Sequence, residues 1–261
     1  MEHQELAHVG NPCEHFHALL LTRIRLGEQR ARLLSILTWA ELVRAGCNAE
    51  PALVARLVEL RPPGPHASLF DIDKAERARA SSTNTLLDLA ICRYVDDTIG
   101  FFRDSATAAM VMNPAPLRSA NKQLSLKEIL GFNSMADLVS SLAARKSQEL
   151  AHDDFQLLVF CGDTLGLPVF SAKEDRAAFK KVIRTRNVLV HNAGKIDARY
   201  VKALDLPKEL IGTDIRLSYP VVFGWMDLLD ESTQRVATHL QRAWESRFPE
   251  LCSILKSPSS T

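Results

Sequence analysis

An all-α fold follows from three observations. Apolar residues recur at the three- and four-residue spacing of an amphipathic helix over most of the 261 residues. Leu, Ala, Arg and Glu dominate those runs, while Gly and Pro, 11 and 12 in number, are sparse inside them. Several runs also open on a Ser, Asp or Asn suited to satisfying the first free backbone N–H groups of a helix.

Taken in order, an amphipathic segment runs from about Glu14 to Ala45, with Phe16, Leu19, Leu20, Ile24, Leu33, Leu34, Leu37 and Val43 on its apolar positions and Gly46 as its stop. Asn48 and Pro51 open a shorter helix bearing Leu53, Val54, Leu57 and Val58, which Pro62-Pro63-Gly64-Pro65 ends. A third helix, capped by Asp71 or Asp73, is strongest over Leu86 to Phe102, and Ser81-Ser-Thr-Asn-Thr85 reads as a break or a new cap. Asn113-Pro-Ala-Pro116 is the clearest linker and places a boundary near residues 105–122. Ser125-Leu-Lys-Glu128 is a capping box for a short helix through Leu130. Ser134 opens a long helix to about Leu165, carrying Leu138, Leu142, Leu150, Leu157, Leu158 and Phe160, and Gly166-Leu-Pro168 stops it. Ser171-Ala-Lys-Glu174 is a second capping box, at the start of the next helix. Beyond Gly194, Asp197 caps a short helical turn, Asp214 to Tyr219 reads as a short strand, and a last helix runs from about Val221 to Phe248. Residues 251–261 form a polar, flexible tail.

Composition narrows the function. The net charge is only +1, so a nucleic-acid site must rest on a local patch. Five scattered cysteines without a Cys-x-x-Cys pair read as free thiols in a reducing cytoplasm. The N-terminus lacks the basic start and apolar block of a secretory signal, and no apolar run approaches membrane-spanning length. A cytoplasmic protein without a membrane partner is expected.

One stretch holds more chemistry than a scaffold requires: Arg184-Thr-Arg-Asn-Val-Leu-Val-His-Asn-Ala-Gly194. At about 100° per residue, Phe179, Val182, Ile183 and Val190 share the expected buried stripe, and Arg186 projects into it. Asn187 and His191 are i and i+4, and Arg184 lies seven before His191, so these three share a polar flank. A guanidinium in an apolar stripe is either ion-paired, with Glu149 or Asp153 as candidate carboxylates, or lines a concave site that meets an anion. The residue types suit metal-independent RNA cleavage: His191 moves a proton, Arg186 stabilises the charge of a pentavalent phosphorane, and Asn187 orients the ring or binds a phosphate oxygen. Arg184 and Asn192 are flanking candidates for RNA or phosphate binding, and no carboxylate cluster calls for a metal or another cofactor.

Arg186-Asn-Val-Leu-Val-His191 resembles the Arg-x(4–6)-His motif of HEPN (higher eukaryotes and prokaryotes nucleotide-binding) domains, including the polar residue after the Arg. The flanking Leu189-Val-His-Asn-Ala-Gly194 and the later Tyr200 are also similar, and the resemblance covers about residues 120–250. It implies a HEPN-like helical bundle over 120–250, with residues 1–110 as an additional N-terminal helical region. It implies a homodimer in which two motifs form one composite site. It also implies an endoribonuclease of phage defence or of a toxin system, restrained by an antitoxin or sensor partner, with Arg186 and His191 as the catalytic pair and Asn187 in support. Other members of the family have lost activity and bind a nucleotide or a protein. Toxins inactivated by nucleotidyltransferase antitoxins often carry a Tyr two residues past the His. Here that position is Ala193, so that mode of restraint is not implied.

Other clusters carry less. Cys13, His15 and His17 have i, i+2 spacing that diverges on a helix, which disfavours zinc. His152-Asp-Asp154 lacks the further ligands of a metal phosphohydrolase. Arg23, Arg25, Arg30 and Arg32 read as a solvated basic face, with RNA-backbone contact as the alternative. Trp39, Trp225 and Trp244 read as core or interface.

Overall fold

A computed structural model describes residues 12–49, 72–118, 124–247 and 249. Eight α-helices account for most of them: α1 (Pro12–Ala49), α2 (Ile72–Met112), α3 (Leu126–Leu130), α4 (Met135–Leu150), α5 (Asp154–Val159), α6 (Lys173–His191), α7 (Ala198–Leu204) and α8 (Tyr219–Arg247). Among the described residues there is no strand. The segment expected as one contributes a single antiparallel bridge, Lys195 to Asp214. No helix among the described residues is long and apolar enough to cross a membrane. The expected helix after Pro51, Trp39, and the Cys13, His15 and His17 side chains lie outside what is described.

The described residues gather into two compact units, neither continuous in sequence. One takes the chain up to Leu26, Val95–Ile183 and the chain from Asp227. The other takes Gly27–Tyr94 and Arg184–Met226. The division differs from a sequential split at residues 105–122, because the 113–118 linker lies inside the first unit. Helices α1, α2, α6 and α8 each contribute to both units.

In the first unit, aromatic rings centre the core. Phe101 meets Phe102 edge-on at 5.6 Å, Phe102 meets Phe179 at 6.4 Å, and Phe179 meets Phe170 at 5.5 Å. The Phe170 ring packs over Gly162, where a Cβ would stand at an ordinary contact distance of 3.4 Å. Arg23, expected on a solvated face, instead donates to Asp230 and Gln234 of α8 at 3.0 Å each. Arg235 donates to the carbonyls of Pro168 (3.3 Å) and Val169 (3.1 Å), and Ser232 also donates to Val169 (2.6 Å). These bonds tie α8 to the turn that precedes α6. Trp244 is buried, as expected; Trp225, which belongs to the second unit, is half-buried.

Several boundaries depart from the sequence expectation. The helix expected from Ser134 to Leu165 breaks after Leu150. Asp153 adopts an extended backbone and caps α5, accepting from the Phe155 N–H at 3.1 Å. A π-helical turn, Phe160–Thr164, follows, and Gly166 at φ +68° ends the run. At Ser171 the capping partner is Asp175, one residue beyond Glu174. Asp175 accepts from the Ser171 N–H (2.8 Å) and hydroxyl (2.6 Å). Residues 81–85 do not break α2. The Ser125–Glu128 box is formed on both sides, and Ser134 caps α4.

Candidate functional site

The motif occupies the second half of α6 and the turn after it, all within the second unit. Phe179, Val182 and Ile183 are buried as expected. Val190 is not: it is 50% exposed, and the buried positions past Ile183 are Thr185 and Val188. At about 100° per residue, the buried stripe turns by roughly 140° between the two halves of the helix. Extrapolating the first half's stripe therefore misplaces Val190. Arg184, Arg186 and Asn187 are half-buried, and His191, the last residue of α6, is exposed.

The Arg186 guanidinium donates through Nη1 to Asn187 Oδ1 at 2.9 Å. Asn187 thus engages the arginine with its carboxamide oxygen. Among the described residues, His191 has no hydrogen-bond or ion-pair partner, so no side chain orients its ring. Asn192 donates its amide to Asp197 Oδ2 at 2.8 Å. Asp197 Oδ1 accepts from the Tyr200 N–H at 2.7 Å, which caps α7. The Tyr200 N–H foremost, and the Asn192 amide with it, hold the Asp197 carboxyl below its ordinary range. Tyr200 then turns its ring inward, and its hydroxyl meets the buried Thr185 hydroxyl at 3.0 Å. Thr185 and Tyr200 therefore join the two ends of a closed path: α6, Asn192, Asp197, α7, Tyr200 and back to α6.

The turn inside this path is tight. The Val188 carbonyl accepts from both Asn192 (2.9 Å) and Gly194 (3.1 Å). Ala193 and Gly194 are both left-handed, at φ +51° and +80°. The chain beyond is pinned to 212–215 by Ile196 to Thr213 (2.9 Å), Gly212 to Ile196 (2.8 Å) and Ile215 to Gly194 (2.9 Å). Lys195 adds a salt bridge to Asp214 at 3.3 Å.

Asp197 had a sequence signal, since a cap followed by a helical turn was legible, but its hold on Asn192 was not. Thr185 carried no signal: its hydroxyl matters only because Tyr200 folds back onto it. Between residues 184 and 226 there are seven Lys and Arg against four Asp and Glu. Two of those four acids, Asp197 and Asp214, are engaged as described. Seven minus four leaves this stretch a net charge of +3, against +1 for the whole chain. Among the described residues, no three His, Cys, Asp or Glu side chains are grouped to hold a metal ion.

No protein-family model, no curated protein and no solved structure matches the chain.

Proposed function

We propose that the Arg184–Asn192 segment is the working site of a metal-independent endoribonuclease of HEPN type, acting in phage defence or as a toxin. The observation that carries this reading is one helix end bearing an exposed imidazole, His191, and a half-buried guanidinium, Arg186, held by its neighbour Asn187. His191 takes the proton from a ribose 2′-hydroxyl, whose oxygen attacks the adjacent phosphorus. The bond to the 5′-oxygen breaks, that oxygen is protonated, and a 2′,3′-cyclic phosphate remains. Arg186 neutralises the charge on the equatorial oxygens, and Asn187 fixes the guanidinium in place. Arg184, seven residues before His191, and the second amide hydrogen of Asn192 flank the phosphate.

Arg186 and His191 are five residues apart, so on a straight helix they point about 140° apart. One helix does not readily aim both at the same phosphate. A homodimer in which each copy supplies part of a composite site resolves this, with RNA as substrate and an antitoxin or sensor as restraint.

The lack of an orienting partner for His191 among the described residues favours one second reading: a non-catalytic module that binds a nucleotide or a protein. Purified protein incubated with total RNA in EDTA, beside His191→Ala and Arg186→Ala, separates the two. Chelator-resistant cutting lost in both variants is expected, with a fall of at least about 100-fold for each. Equal cutting by all three, or none by the parent protein, overturns the nuclease reading.

A further inference from the structure

We infer that Asp197 and Asn192 are positioning residues for His191: together they clamp the C-terminal end of α6 and so fix where the imidazole stands. The catalytic consequence rests on the nuclease reading above, while the clamp itself rests on geometry alone.

His191 has no side-chain partner of its own among the described residues, so its position is that of its backbone. That backbone lies in the last turn of a helix, where the final carbonyls lack intrahelical partners and fraying is the default. The next residue, Asn192, keeps its backbone bond to the Val188 carbonyl (2.9 Å), and its side chain is held by Asp197 Oδ2 at 2.8 Å. Asp197 is itself fixed, because its other oxygen caps α7 at 2.7 Å. α7 is fixed in turn, because Tyr200 is buried and reaches the buried Thr185 hydroxyl at 3.0 Å. Thr185 is two turns back along α6, so the path from His191 returns to the rigid part of its own helix. The clamp replaces a side-chain partner to the imidazole with a brace on the backbone beside it. It also leaves both ring nitrogens open for a substrate hydroxyl or leaving oxygen.

The two roles of Asp197 can be separated. Asp197→Ser keeps a good capping oxygen for Tyr200 but is too short to reach Asn192. Asn192→Ala removes the clamp from the other side and leaves the cap intact. The exchange Asn192→Asp with Asp197→Asn restores one donor–acceptor pair with the partners reversed.

Two readouts on the full chain test this. The first is the imidazole ¹H–¹³C NMR signal of His191, assigned by its loss in His191→Ala. It should shift and broaden in both single variants and recover in the exchange. The second is RNA cutting. In Asp197→Ser, which leaves every proposed phosphate contact in place, kcat should fall at least about tenfold, with KM within about twofold. An unchanged His191 signal in both single variants, a folded exchange variant that does not recover that signal, or an unchanged kcat in Asp197→Ser overturns the clamp. If the parent protein cuts no RNA, the nuclease reading fails, and the imidazole signal still decides the clamp.

Discussion

At the scale of single residues, the backbone after His191 holds one of two left-handed non-glycine residues among the described residues, the other being Asp205. Ala193 sits at φ +51°, where an L side chain costs about 1–2 kcal/mol, while glycine costs nothing sterically. Ala193→Gly should therefore raise stability by about 0.5–1 kcal/mol after the added chain entropy of glycine, read as a higher urea midpoint. A lower midpoint would show that the turn does not bear this strain. Ser105 is the opposite case. Its hydroxyl is buried and without a hydrogen-bond partner among the described residues. Ser105→Ala should be neutral or stabilising by about 1 kcal/mol, because no bond is lost and a desolvated group is removed. A loss above about 1 kcal/mol would contradict that. The motif itself was legible because Arg, Asn and His crowd into nine residues. The clamp was not, because Thr185 and Tyr200 are 15 residues apart and meet only through the fold.

At the scale of elements, signals local in sequence are legible and composite ones are not. The Ser125–Glu128 box and the Ser134 and Asp197 caps depend on residues at most three apart, and they formed as expected. At Ser171, Asp175 competes with Glu174 for the same hydroxyl and wins, and the spacing alone does not rank them. The break after Leu150 has no glycine or proline to announce it. A capping aspartate does that work, and an aspartate in a helical run is ambiguous from sequence. Conversely, the poor helix formers at 81–85 stay helical inside a 41-residue α2, where context overrides propensity. Among the ties between elements, Arg235 is the one to remove. It bonds two carbonyls of the 168–169 turn and lies 3.8 Å from Asp175. Arg235→Ala should cost about 1–3 kcal/mol in urea unfolding, as expected for charged hydrogen bonds at a half-buried site. A cost near zero would place the anchoring of that turn elsewhere.

At the scale of the whole molecule, protonation acts on the fold with two signs. Asp175, through the Ser171 hydroxyl foremost, and Asp197, through the Tyr200 N–H foremost, are held below the ordinary 3.8. Each favours the folded state fully above that value, and the benefit is lost as pH falls through the lower folded pKa. Burial pushes Asp88 the other way. The folded state then takes up its proton more readily than the unfolded chain, so acidification through that pKa favours folding. Stability should thus decline below pH 3.8, and Asp197→Ser should flatten that decline. Asp88→Asn should be more stable than the parent at pH 7, and a lower melting temperature there would refute the assignment. The two interleaved units have a consequence for inheritance as well. Their four junctions, after Leu26, Tyr94, Ile183 and Met226, all fall inside helices. Transplanting the second unit would move two segments and the first unit three, and every one of the four junctions cuts a continuous helical backbone. An exchange of either unit by recombination would therefore have to cut α1, α2, α6 and α8, the cut in α6 falling eight residues before His191.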